Sequence, residues 1–160
     1  MTKPVFQFII TPRGCLEETM PAETVAELTE RLYKVHKFAP SQIGRQRLYQ
    51  GRVERIKMPV WTDTGETLQL RGSVTRGGDI QFSLVTGTQV IRKWHSHAGH
   101  YNPDGELVDG PHKHYPTSEY PQAKCAYSTG DDIPTDNFEE ALSAFLEECN
   151  IELLWPFREV

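Results

Sequence analysis

The feature that most limits how this chain can fold is a change of hydrophobic period. From Arg55 onward apolar residues recur at every second position. Ile56, Met58 and Val60 alternate with Arg55, Lys57 and Pro59, and Leu68, Leu70 and Val74 mark a returning segment. Ile80, Phe82 and Leu84 follow, and then Val90, Arg92 and Trp94 on one face of a further segment. A period of two belongs to strands, because successive side chains leave opposite faces of a sheet. Asp63-Thr64-Gly65, Arg76-Gly77-Gly78 and the residues around Gly87 separate the segments, and such residues are turn formers. Four strands joined by turns this short predict an antiparallel meander.

Two stretches carry a helical period instead. Val25, Leu28, Leu32 and Val35 follow Pro21, with Glu23 and Glu27 placed to favour a positive helix start. They predict a helix from Pro21 to about Phe38, before Pro40. Asp136 with Glu139 three positions on is a capping-box pattern, and Phe138, Ala141, Leu142, Phe145, Leu146 and Cys149 form the stripe of a helix ending near Asn150. Shorter strands are expected at residues 4–10, around His112 to Tyr115, at 123–128 and, as an edge strand, at 151–155. Residues 41–51 read as an irregular loop. Both helical stripes need cover, so the expected fold is α+β: an antiparallel sheet of five to seven strands with two helices packed on one face. At this length, residues 1–160 are expected to form a single domain.

Composition excludes several classes. No segment has the length of a membrane span or the pattern of a signal peptide, so a cytoplasmic protein without membrane contact is expected. Cys15, Cys125 and Cys149 are odd in number and far apart, which suits buried thiols better than a disulfide framework or a metal knuckle. A net charge of −5 argues against broad attraction to nucleic acid, but the charge is uneven: Arg45, Arg47, Arg52, Arg55 and Lys57 crowd one region.

Five of the six histidines, His95, His97, His100, His112 and His114, lie within twenty positions. In extended chain His95 and His97 share a face, as do His112 and His114. The intervening Asn102-Pro-Asp-Gly105 turn lets the two pairs meet. Two chemistries use such an array. Converging neutral imidazoles from His95, His97, His112 and His114 would hold zinc, in a hydrolase or a zinc-stabilised domain. Without cofactor, imidazoles serve as general base and acid in phosphoester cleavage beside a cation, for which Arg92, Lys93 and Lys113 are near in sequence. His36, near the expected end of the first helix, reads as a favourable C-terminal cation. If the strand is regular, Trp94 faces away from His95 and into the core; Tyr115 is a residue that could line the site.

At His100-Tyr-Asn-Pro-Asp-Gly105 and Gly110-Pro-His-Lys-His-Tyr115, followed by a strand and a helix ending in Cys149-Asn150-Ile151, the chain resembles the TumE-like toxins of prokaryotic toxin-antitoxin pairs and their uncharacterised relatives. The resemblance spans roughly residues 66–154. It implies a small cytoplasmic ribonuclease acting on RNA and held in check by a cognate antitoxin. Its candidate residues here are His100, His112 and His114; in the cleavage chemistry expected of them, His112 and His114 share the acid and base roles, His100 assists, and Lys113 or Arg92 stabilises charge. The chain departs from the pattern in lacking an aspartate shortly before the first histidine. Arg92-Lys93-Trp94 stand there, and no acid lies between Gly87 and His95. An orienting carboxylate is therefore missing locally unless Asp104 or Asp109 supplies it. A third expectation, from the acidic residues of the two helices, is a non-enzymatic regulator of phage or bacterial origin that binds another protein.

Overall fold

The computed structural model describes residues 8–10, 16–18, 22–41, 45–48, 53–129, 132 and 134–154. In chain order these form a hairpin of β1 (Phe8–Ile10) and β2 (Leu16–Glu18), helix α1 (Val25–Lys34), and strands β3 (Lys37–Pro40), β4 (Arg45–Leu48), β5 (Val53–Thr62), β6 (Thr67–Val74), β7 (Ile80–Thr86) and β8 (Gln89–His95). A small pair, β9 (His100–Tyr101) and β10 (Leu107–Val108), precedes β11 (His112–His114), β12 (Ala126–Ser128), helix α2 (Phe138–Glu148) and β13 (Ile151–Leu154). The main sheet runs β12-β11-β8-β7-β6-β5-β3-β13, with β4 also paired to β5. It is antiparallel except where β13 lies parallel to β3. Among the described residues the fold is thus α+β, with two helices and a large, mostly antiparallel sheet. The expected meander is β5 to β8.

Among the described residues the sheet has nine strands, more than the five to seven expected. One addition is β4, inside the stretch read as a loop; it pairs with β5 from Arg45↔Ile56 to Leu48↔Val53. Another is β3, which takes the residues assigned to the end of the first helix. Helix α1 stops at Lys34 because Lys37 and Ala39 are drawn into the interior as alternate residues of a strand. Lys37 is fully buried, and its ammonium donates to the carbonyls of Tyr33 at 2.8 Å, Val35 at 2.7 Å and Cys149 at 2.6 Å. It therefore satisfies carbonyls that both helix ends would otherwise leave bare. Burial pushes its pKa down to about 8, yet three carbonyl acceptors favour the charged form. Asn150, with φ of 53°, ends α2 and donates from its amide to Lys34 O at 3.1 Å.

The helix starts also differ from expectation. Thr24 and Glu27 form a reciprocal capping box, so α1 begins after Thr24 rather than at Pro21. Asn137, not Asp136, caps α2, accepting from the amides of Glu139 and Glu140. The expected turn at residues 12–14 and Cys15 lie outside the described residues. Cys125 and Cys149 are free and buried, and burial pushes the Cys149 thiol up to about 12.

Leu32 of α1 and Ala141, Leu142, Phe145 and Leu146 of α2 meet one sheet face, made by Ile56, Met58, Val60, Leu68, Leu70, Phe82, Leu84 and Trp94. Phe82 is at the centre. Its ring stacks on Trp94 at 5.7 Å and tilts against Phe138 at 5.2 Å and Phe145 at 5.3 Å. Gly72 lies between Ile56 and Phe82 in the same cross-strand row, and a Cβ there would come within 2.7 Å of the Phe82 ring. A side chain at 72 and the Phe82 ring exclude each other.

The opposite face carries the odd-numbered residues of β5, β6 and β7. Two cross-strand rows cross it: Arg55, Ser73, Gln81, His95 and His112, and beside it Lys57, Arg71, Ser83, Lys93 and His114. A register shift sets the end of each row. Val85 pairs with Val90 but Leu84 pairs with Arg92, so Ile91 is an extra residue, a β-bulge. Val90 consequently leaves the face expected for it, while Arg92 and Trp94 stay on the helix side.

Candidate metal centre

Strand β8 ends at His95 because the next two residues are gripped from the side. Asp79, at the close of the turn before β7, accepts from the backbone amides of Ser96 at 3.1 Å and His97 at 2.9 Å through one carboxylate oxygen. Its other oxygen accepts from Gln81 Nε2 at 2.7 Å and lies 3.4 Å from His95 Nδ1. Asp79 is itself set by the turn, in which Thr75 Oγ1 accepts from its amide at 3.1 Å and Gly78, at φ of 86°, makes the left-handed step. Burial works against the carboxylate, but the bonds from Gln81, the His97 amide and His95 outweigh it and hold its pKa below the ordinary value.

The chain then folds back through β9 and β10. Asn102 N donates to Glu106 O and Gly105 N to Asn102 O, closing the expected Asn-Pro-Asp-Gly turn. The Asn102 side chain also mimics a strand neighbour: its oxygen accepts from Ala126 N at 2.7 Å and its amide donates to Ala126 O at 3.1 Å. This pins the small hairpin beside β12. Strand β11 returns antiparallel to β8, with His112 directly opposite His95 and His114 opposite Lys93.

These pairings gather imidazoles. One ring nitrogen from each of His95, His112 and His114 lies within 4.8 Å of the other two, and all three side chains are buried. The His95 ring stacks on His112 at 5.1 Å, and His114 stands edge-on to both, 5.7 Å from His95 and 5.0 Å from His112. His100, half-buried, adds a fourth ring 4.7 Å from His114 and 5.9 Å from His112.

The partners of these rings fix their tautomers. Carboxylates and carbonyls only accept, so the nitrogen facing one carries the proton. His95 points Nδ1 at Asp79, His112 donates from Nδ1 to Gly110 O at 2.8 Å, and His100 donates from Nε2 to Lys124 O at 2.9 Å. The second nitrogen of each is left as a lone-pair donor. His114 Nδ1 is buried with no hydrogen-bond partner, a state that costs about 1–3 kcal/mol unless something binds there. Burial, with Lys93 adding to it, pushes His95 down to about 4. Burial and the neighbouring imidazoles push His114 down to about 3, and burial lowers His112. All three are neutral at physiological pH, the state in which imidazole ligates a metal.

Several residues expected at the site are elsewhere. His97 is exposed, with Nδ1 2.6 Å from Ser96 Oγ, outside the cluster, because the strand that would have aligned it with His95 stops two residues short. Arg92 and Lys113 occupy the helix side of β8 and β11, since they alternate with the histidines. Arg92 Nε lies 3.2 Å and Lys113 Nζ 2.6 Å from the Glu148 carboxylate. The Arg92 guanidinium also lies over Tyr33 at 4.0 Å and Tyr115 at 4.7 Å. Tyr115, stacked on Tyr127 at 4.3 Å, belongs to that side too. Of the three cations near the histidines in sequence, Lys93 is the one on their face, paired with His114. His36 lies beyond α1, 3.3 Å from Glu152.

The orienting carboxylate absent from the local sequence is Asp79, and neither Asp104 nor Asp109 takes that role. Asp104 Oδ1 accepts from Glu106 N, and Asp109 Oδ1 from Gly110 N. A signal for Asp79 was present: counting pairs outward from the Gly87 turn, with one bulged residue, places residue 79 opposite residue 97. What the sequence hid was the bulge.

Residues 80–151 are similar to a family of unknown function, DUF6978. That span begins one residue after Asp79 and contains all four clustered histidines. No curated protein and no solved structure matches the chain. No helix among the described residues is long and apolar enough to cross a membrane.

Proposed function

We propose that this protein is a zinc-type metalloprotein, and that His95, His112 and His114 hold a divalent cation used in hydrolysis. The carrying observation is the arrangement of three neutral imidazoles. One nitrogen of each ring lies within 4.8 Å of one on each of the other two, a carboxylate faces Nδ1 of His95 and a carbonyl Nδ1 of His112, and His114 has a buried nitrogen without a partner. Carboxylate or carbonyl partners behind ligating histidines are the usual outer shell of metal sites. Tetrahedral zinc at about 2.0–2.1 Å from each nitrogen sets ligands about 3.3 Å apart, which small ring rotations reach. Three protein ligands leave one position for water, the arrangement of catalytic rather than closed structural zinc, and bound zinc would lower the pKa of that water. His100, its ring 4.7 Å from that of His114, stands beside the three, and Lys93 adds positive charge on the same face. Titration of metal-free, untagged protein with zinc by calorimetry tests the reading. One saturable site, lost in His114→Ala and weakened in Asp79→Asn, is expected; no saturable heat would exclude it.

The second reading keeps the imidazoles and drops the metal: a toxin-like ribonuclease, restrained by an antitoxin, in which His100, His112 and His114 move protons. The observation favouring it is Lys93, which supplies the cation that Arg92 and Lys113 do not. RNA cleavage and growth inhibition that persist in excess chelator would support it; loss on chelation with recovery on adding zinc supports the first reading.

A further inference from the structure

The sheet face that carries the histidines has a second character away from them. A cavity of about 690 Å³ is lined by Arg55, Lys57, Arg71 and Lys93 with Ser73, Gln81 and Ser83 between them, and no acidic residue stands among its described lining. The whole chain carries −5, so four cations collected without an acid are a local reversal of sign. Arg55, Lys57 and Arg71 are exposed and Lys93 is half-buried. Cross-strand pairing keeps them in line: Lys57 faces Arg71 on the next strand, Ser83 follows, then Lys93, then His114. At about 4.8 Å per strand this track is roughly 19 Å long. Beyond Lys57 on the same face of β5, two alternate positions on, Trp61 is exposed and pairs across strands with Phe38 of β3.

We infer that this face binds a single-stranded polynucleotide, its phosphates on Arg55, Lys57, Arg71 and Lys93, a base stacked at Trp61, and its path ending at the histidine cluster. A line of cations satisfies a line of phosphates, and an aromatic ring set beside it accepts an unpaired base through its π-face. A duplex buries its bases from Trp61, so the single strand is the form that uses both features. Binding at the basic face stands independently of any metal. Only the delivery of a phosphodiester to the histidines rests on the metal reading.

The test uses the full chain, zinc-loaded and chelator-treated, with fluorescently labelled single-stranded 15-mers of RNA and DNA and a duplex of the same sequence, read by anisotropy. Both single strands are expected to bind more tightly than the duplex. Four phosphate contacts give a slope of log affinity against log salt of about −3, hence roughly a fiftyfold loss between 50 and 200 mM salt. Lys57→Glu with Arg71→Glu should weaken binding at least tenfold, and the milder Arg71→Gln should reduce the slope by about 0.7. Trp61→Ala should cost about fivefold or more at an unchanged slope, and Lys34→Glu on the helix side should change nothing. No saturable binding, duplex binding as tight as the single strand, or an unaffected, folded Lys57→Glu/Arg71→Glu variant would overturn the inference. The two claims separate cleanly. Zinc binding without strand binding removes the surface and leaves the metal centre, whereas strand binding without zinc binding does the reverse.

Discussion

Strands β8 and β11 carry two cationic regions on opposite faces of one sheet, and the two differ in how their charge is balanced. On the helix face Arg92 and Lys113 share the Glu148 carboxylate, and Arg92 lies over two tyrosine rings beside a core built on Phe82 and Trp94. Such cations hold elements together. On the other face Lys93 stands beside buried neutral histidines, and Asp79 is already committed to two backbone amides, Gln81 and His95. Here donors and positive charge are left over. Side chains one position apart thus divide between architecture and chemistry, and alternation alone makes the division.

The largest effect that separates the faces should come from the core. Trp94→Ala is expected to cost about 3–5 kcal/mol in urea unfolding of the metal-free protein, whereas His112→Ala on the other face should cost far less while eliminating zinc binding. If both variants lose stability alike, the faces are not distinct in role. Next comes Glu148→Ala, which removes the carboxylate that two partly buried cations share. It should destabilise by roughly 1–3 kcal/mol and leave zinc affinity within about twofold. A tenfold loss of zinc affinity would tie the two faces together.

On the histidine face, Asp79→Asn should reduce zinc affinity roughly 10–100-fold, with a smaller effect on stability because the amide oxygen can still accept from Ser96 and His97. Unchanged affinity would show that Asp79 shapes the turn and not the ligand. The last effect is on pH dependence. His95 and His114 are held down to about 4 and about 3, while unfolded histidine titrates near 6.5. As pH falls below about 6.5 the unfolded chain takes up protons that the folded chain refuses, so stability present above that pH is progressively lost toward 3. In His114→Ala, chemical unfolding across this range should show a shallower decline. An equally steep decline would mean that other groups set it.

Much of this division was readable in the residues. The period-two runs of β5 to β8, the stripe of α2 and the Asn-Pro-Asp-Gly turn each express a local rule, and the histidine spacing marks the cluster before any coordinates. The first helix was read too long because Lys37 and Phe38 fit a helical run as well as a strand, and only pairing with β5 and β13 decides between them. Strand β4 has too polar a sequence to announce itself and exists by its pairing to β5. Asp79 and the exclusion of His97 depend on a single bulged residue, Ile91, whose effect is a change of register rather than of composition. The side taken by Arg92 and Lys113, by contrast, follows from alternation with His95, His112 and His114, and nearness in sequence was a poorer guide than parity.

If His95, His112 and His114 form a metal centre, elemental analysis of untagged protein purified without chelator should find close to one zinc or similar divalent ion per chain, and close to none in a folded His112→Ala/His114→Ala variant. A metal content near zero that stays near zero after incubation with zinc and buffer exchange would rule the centre out.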